Sequence, residues 1–158
     1  MRFLLLFALA ALLAAPVAEA GSEVLAVIVP QNHAGRLPQP QELALIYKRK
    51  KLFWGDGSRI QPVNLPADHP LRREFSQHVL KNLPEAQAQY WNSMYYHGVF
   101  PPHVVASPEA MMRFVEETDG AIGYVSACNV DARVKPVLWV GTSGAITTEA
   151  PPLECSAN

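Results

Sequence analysis

The amino-acid sequence predicts an α/β fold, a sheet of about four strands covered by about four helices. Three observations carry that expectation. Apolar runs of strand length recur at 24–29, 60–65, 121–126 and 134–140. The segments between them place apolar residues at helical spacing behind recognisable caps. And Asp119-Gly120-Ala121-Ile122-Gly123-Tyr124-Val125 passes from helix through a tight stop into a buried strand. Gly120 falls where a left-handed residue closes a helix, a conformation that a missing Cβ makes cheap. Gly123 interrupts the strand and predicts a close approach of backbone or ligand there.

The elements follow in chain order. Residues 24–29 (V-L-A-V-I-V) are continuously apolar, as in a strand covered on both faces. Residues 30–40 are a polar loop with three prolines. Residues 42–50 read as a helix whose inner face is Leu43, Ile46 and Tyr47. Trp54-Gly55-Asp56-Gly57 turns the chain into the second strand, 60–65, where Pro62 argues for an edge or a bulge. Asp68-His69-Pro70 is a helix N-terminus with Asp68 as the expected cap, and Leu71, Phe75 and Val79 form that helix's buried stripe. Asn82-Leu83-Pro84-Glu85 opens a third helix carrying Ala86, Tyr90, Trp91 and Met94, which Gly98 and Pro101-Pro102 end. Ser107-Pro108-Glu109 opens the fourth with a cap, a proline at N1 and an acid in the first turn. Met111, Phe114 and Val115 face its core side. Beyond Gly141 the chain turns to Gly, Thr, Ser and Pro and reads as loop.

The 158 residues divide into a secretory signal peptide (1–20), an α/β domain (21–141) and a C-terminal tail (142–158). Met1-Arg2 gives the positive start, residues 3–15 the apolar run, and Ala18-Glu19-Ala20 the small residues of a cleavage site. That run is too short to span a bilayer. No cysteine lies near the cut, so no lipid anchor is expected, and the localisation expected is periplasmic. The net charge of −1 argues against nucleic acid and anionic membrane as partners. Lys48-Arg49-Lys50-Lys51 is the one charge run, read either as an anion or partner patch or as cations complementing a helix C-terminus. Cys128 and Cys155 suit a disulfide in an exported chain, closing a loop of about 27 residues. The alternative is two unpaired thiols.

Three segments, in order, resemble one family. Leu43-Ala44-Leu45-Ile46-Tyr47 with Lys50, Trp54 and Asp56-Gly57 is the first. Ile60-Gln61-Pro62-Val63-Asn64 is the second, and Gly120-Ala121-Ile122-Gly123-Tyr124-Val125 the third. Over about residues 24–127 the chain is similar to the phosphate-type periplasmic substrate-binding proteins of ABC transporters, in their short, single-lobe-like branch. The resemblance implies a type 2 periplasmic-binding fold, a small oxyanion as ligand and an ABC permease as partner. Full-length members clamp the anion between two lobes, and residues 21–158 suffice for one. In those members the strand matching 60–65 leads into a Ser-Gly-Thr loop that presents hydroxyls and bare amides to the anion. Here the stretch is Asn64-Leu65-Pro66-Ala67-Asp68-His69-Pro70. It has no glycine, Pro70 has no N–H to donate, and Asp68 brings a negative charge.

The candidate ligand residues are Asn64, Asp68, His69 and Arg72 at this strand-to-helix junction, where ligands of open α/β sheets collect. Arg72 is the fixed cation and Asn64 the amide reader in that view. The competing view is a plain cap, with Arg72 in solvent. Ser107 is a further candidate donor at its own helix start, or a plain cap. His33, His69, His78, His97 and His103 show no metal-ligand spacing, so no metal or other cofactor is expected. The rings from Tyr90 to Phe100, with Trp54, line a groove for a partner or ring-bearing ligand, or else Tyr90 and Trp91 simply pack their helix on the sheet. No nucleophile elbow or phosphate loop is present, and no enzymatic activity is expected.

Two functions compete at this level. One is an exported solute-binding-like protein holding a small oxyanion non-covalently. The other is a cell-envelope docking module that has lost the ligand loop. A homodimer, building one cleft from two lobes across a two-fold axis, would reconcile them.

Overall fold

The computed structural model describes residues 23–156. The expected signal peptide lies outside the described residues. Six strands form one mixed sheet in the order β3-β2-β4-β1-β5-β6. β1 (Leu25–Pro30) and β4 (Ala121–Ser126) occupy its centre, and every residue of both is buried. They pair antiparallel, Leu25 opposite Ser126 and Val27 opposite Tyr124. β2 (Gln61–Asn64) and the two-residue β3 (His103–Val104) continue the sheet on the β4 side in parallel. β5 (Val134–Val140) lies antiparallel to β1 on the other side, and β6 (Ile146–Thr147) closes that edge.

The prolines sit where the ladder does not need them. Gln61 N–H donates to Gly120 O, so the next residue's nitrogen points away from β4. Pairing with β3 begins only at Val63, so Pro62 leaves no ladder bond unmade. Pro136 stands beside an irregularity in β5, where the register against β1 shifts between Val27 and Ile28.

Among the described residues the α-helices are α1 (Pro40–Tyr47), α2 (Pro70–Phe75), α3 (Ala88–Tyr96) and α4 (Pro108–Glu117). α1 buries Leu43, Ile46 and Tyr47, the face its periodicity marks. It stops at Tyr47, short of the expected residue 50, and Arg49 adopts a left-handed φ of 58° just beyond. α2 runs on into a π-helical stretch, Ser76–Leu80, and together they bury the expected stripe of Leu71, Phe75 and Val79. α4 packs on β4 through Met111 and Val115. A Cβ at Gly123 would lie 2.5 Å from Met111 Sδ and 2.9 Å from Val115 Cγ2, so it is this helix that requires the glycine. Gly120 has φ +73°, and a Cβ there would strike the carbonyl of Arg59.

Three expectations are corrected. Residues beyond 141 are not all loop: Ile146 and Thr147 pair with Val140 and Trp139. Tyr90 and Trp91 do not pack α3 on the sheet: no residue of the helix is buried, neither ring joins the core, and the Tyr90 hydroxyl donates to Lys48 O instead. Trp54 is no part of an aromatic groove with them. It is buried, donates from Nε1 to Gly120 O at 3.0 Å and meets the His33 ring edge-on. Cys128 and Cys155 form the expected disulfide, with Cα atoms 5.5 Å apart, and tie the C-terminal segment to the end of β4.

Candidate functional site

β2, β3 and β4 run parallel, so their carboxyl ends share one edge of the sheet. Asn64 is the last residue of β2. Its carbonyl accepts from Val105 N–H at 2.9 Å, which fixes the strand end against the segment leading to Ser107. Leu65 to Asp68 then turn the chain into α2. The cap of that helix is His69, not Asp68: its Nδ1 accepts from Leu71 N–H at 3.2 Å, with Pro70 at the first helical position. Asp68 is exposed. Histidine wins because its ring nitrogen reaches the orphan N–H from the residue that has the extended cap conformation, φ −67° and ψ 132°.

Arg72 follows within the first turn of α2 and is folded inward, 8 % exposed. The view that places it in solvent is therefore corrected. Its Nε donates to Ser76 Oγ at 3.1 Å and its Nη1 to Leu65 O at 3.2 Å. Among the described residues no carboxylate lies within ion-pair distance of it, whereas Arg36, Arg73, Arg113 and Arg133 are each paired. A buried cation without a counter-charge is costly, and hydrogen bonds to a carbonyl and a hydroxyl offset only part of that.

Tyr124 joins the two candidate ligand residues. Its hydroxyl donates to Asn64 Oδ1 at 3.1 Å and accepts from Leu65 N–H at 3.3 Å. Burial pushes its ionisation well above the ordinary tyrosine range, and the nearby Arg72 guanidinium only partly opposes that. The ring stacks on Phe75, centroids 3.9 Å apart and planes within 5°. Tyr47 completes the floor, its hydroxyl bonded within 3.2 Å of Val63 O and Ile122 O, and burial raises its ionisation too.

Two donors remain unused here. Asn64 is 3 % exposed and spends Oδ1 on Tyr124, while its Nδ2 has no acceptor among the described residues. The Arg72 guanidinium also lies against the Tyr124 hydroxyl, yet its Nη2 group keeps at least one N–H without a protein acceptor, and neither nitrogen is sealed from solvent. Two held side chains thus present N–H groups to water at one strand-to-helix junction, beside a common hydroxyl. Such a set can hydrogen-bond an oxyanion.

Ser107 comes to the same end of the sheet through the β3 pairing, and its Oγ accepts from Ala110 N–H at 3.1 Å as the cap of α4. Its role as a cap is filled, and among the described residues no hydrogen bond joins its hydroxyl to Arg72 or Asn64. Tyr124 and Ser76 were not among the sequence candidates. Alternation would have found Tyr124: Gly123 faces α4, so its neighbour must face the opposite side, where α2 packs. No such signal marks Ser76.

No family model matches the chain, and no curated protein does. Solved structures do. A protein assigned as a phosphate ABC transporter substrate-binding protein, from Clostridium perfringens with phosphate bound, superposes with a TM-score of 0.58 at 18 % identity. An ABC-type phosphate transport receptor from Vibrio cholerae gives 0.57 at 21 % identity. Each match covers 72 % of this chain but only 44 % and 46 % of the respective structures, so the chain spans less than half of their length. The architecture is accordingly that of one lobe of a periplasmic-binding-protein fold.

Proposed function

We propose that this chain is an exported solute-binding-like protein that holds a small oxyanion non-covalently at the Arg72–Asn64 junction. The observation that carries the reading is the pair of unused donors, Arg72 Nη2 and Asn64 Nδ2, on two buried side chains with no carboxylate paired to the guanidinium. An anion there would supply the missing counter-charge and accept both N–H groups. The likeness in fold to structures named as phosphate transport proteins supports the same class of ligand. The protein performs no chemical step on the ligand. A single lobe leaves one side of the anion open, and an ABC permease, another envelope protein or a second copy of the chain would cover it.

Calorimetric titration with phosphate, sulfate and related oxyanions tests this. Saturable binding of at least one is expected. Arg72→Gln should weaken it by at least about tenfold, the loss of one charge-assisted bond of about 1.5–3 kcal/mol. Asp68→Asn should tighten it a few-fold, because an exposed like charge beside the site is removed. Binding that Arg72→Gln leaves unchanged would end this assignment of the site.

A second reading, a docking module of the cell envelope, is favoured by one observation. Tyr95, Tyr96 and Phe100 lie on the outside, 62 %, 88 % and 61 % exposed, and Tyr95 packs edge-on to both neighbours. Exposed rings in one cluster mark an interaction surface. In that case Tyr96→Ala abolishes partner binding or self-association measured by sedimentation, and no oxyanion binds.

A further inference from the structure

A separate groove lies between the end of α1, the end of the π-helical stretch and the start of α3, with a volume of about 230 Å³. It is lined by Lys48, Lys50, Leu80, Gln87, Tyr90 and Trp91, among others. The two lysines raise a question of purpose. Cations after a helix commonly satisfy its last carbonyls. Here three of the last four carbonyls already have backbone partners: Ala44 O accepts from Lys48 N–H, Leu45 O from Lys50 and Lys51 N–H, and Ile46 O from Arg49 N–H. Lys48 O is taken by the Tyr90 hydroxyl at 2.6 Å. Lys51 pairs with Glu42, but among the described residues neither Lys48 nor Lys50 has a carboxylate within ion-pair distance. Two lysines without a carboxylate partner therefore line the groove.

The rest of the lining is not suited to a bare inorganic anion. Tyr90 and Trp91 form an edge-to-face pair with centroids 4.9 Å apart, and the bond to Lys48 O fixes the Tyr90 ring in place. Leu80 adds an aliphatic wall. Gln87, 8 % exposed, spends Nε2 on Asn82 O at 2.9 Å. Its Oε1 has no donor among the described residues and is not sealed from solvent, so a held acceptor is left unused. The volume falls below the roughly 300 Å³ at which drug-sized pockets begin, which limits an occupant to about one ring.

We propose that this groove binds a small single-ring aromatic acid. The carboxylate meets Lys48 and Lys50, the ring lies against Tyr90 and Trp91, and a ring hydroxyl donates to Gln87 Oε1. The polar contacts use groups that the fold leaves without a protein partner, and none involves the Arg72–Asn64 junction.

The test is calorimetric titration of the purified chain with 4-hydroxybenzoate, run beside the uncharged 4-hydroxybenzyl alcohol and beside acetate. Saturable binding of 4-hydroxybenzoate is expected, with the alcohol and acetate each weaker by at least about tenfold. The double variant Lys48→Ala, Lys50→Ala should lose a similar factor. Trp91→Ala, at a half-buried position, should also weaken binding, by several-fold. These variants leave Arg72 and Asn64 untouched, so inorganic oxyanion binding there should persist in all of them. No saturable heat with 4-hydroxybenzoate, equal binding by acetate, or full affinity in the double-lysine variant would each overturn the proposal.

Discussion

The Tyr124 hydroxyl donates to Asn64 Oδ1 at 3.1 Å while accepting from the Leu65 N–H at 3.3 Å. One phenol thus satisfies a side chain and a backbone group of the junction at once. Tyr124→Phe keeps the ring on Phe75 but leaves both groups without a partner. Each unsatisfied buried group costs about 1–3 kcal/mol, so a loss of about 2–6 kcal/mol is expected in urea unfolding with an unchanged slope. A loss below about 0.5 kcal/mol would mean that water replaces the hydroxyl freely and that Asn64 is not held.

The two buried tyrosines also set an alkaline limit. Tyr47 and Tyr124 both have ionisation pushed above the ordinary range, chiefly by burial. Above about pH 10 the unfolded chain releases these protons while the folded chain keeps them. The folded state then binds more protons than the unfolded one, so stability falls as pH rises. Their contribution is fully present below about pH 10 and is lost progressively above it. The midpoint of thermal unfolding should therefore decline steeply above that pH, and Tyr124→Phe should flatten the decline. An equal slope in the variant would exclude Tyr124 as a source.

Gly123 tests the packing of α4 on β4. Gly123→Ala would place a methyl 2.5 Å from Met111 Sδ, so the helix or the methionine must shift. Overpacking of this kind costs about 1–3 kcal/mol, read as a lower midpoint in denaturant. The double variant Gly123→Ala, Met111→Ala should cost less than the sum of the two single variants, because the added methyl occupies part of the space the methionine leaves.

The disulfide contributes by shortening the unfolded ensemble. Cys128 and Cys155 are 27 residues apart in sequence. Chain-entropy reasoning assigns such a loop about 3.5 kcal/mol. Reduction, or Cys128→Ser with Cys155→Ser, should lower stability by up to that amount while leaving the sheet intact by circular dichroism. Complete unfolding on reduction would show that the tail contributes more than loop closure.

How much of this was legible in the sequence depends on element length. β1, β4 and α4 carry six or more residues of consistent pattern, and their positions follow from it. β3 and β6 have two residues each, too few for any periodicity, and exist only because β2 and β5 offer them an edge. Pro62 and Gly120 were readable because their backbone chemistry admits few settings. Arg72 was readable only as one of two alternatives: charge alone argues for solvent, and nothing in the sequence shows that its guanidinium folds inward beside the Leu71 stripe. Asp68 is the better cap by residue type, yet His69 has the cap geometry. The rings of α3 show the remaining gap, since aromatic density does not reveal whether a helix finds the sheet or stands clear of it.

The most direct test of the account is thermal unfolding of the protein with and without millimolar phosphate, sulfate and related oxyanions, for the wild-type chain and Arg72→Gln. A ligand at a hundred times its dissociation constant adds about 2.7 kcal/mol, which for a domain of this size raises the midpoint by roughly 10 °C. Such a rise is expected with at least one oxyanion in the wild type, and its loss in Arg72→Gln. No rise with any oxyanion, or an equal rise in the variant, would contradict it.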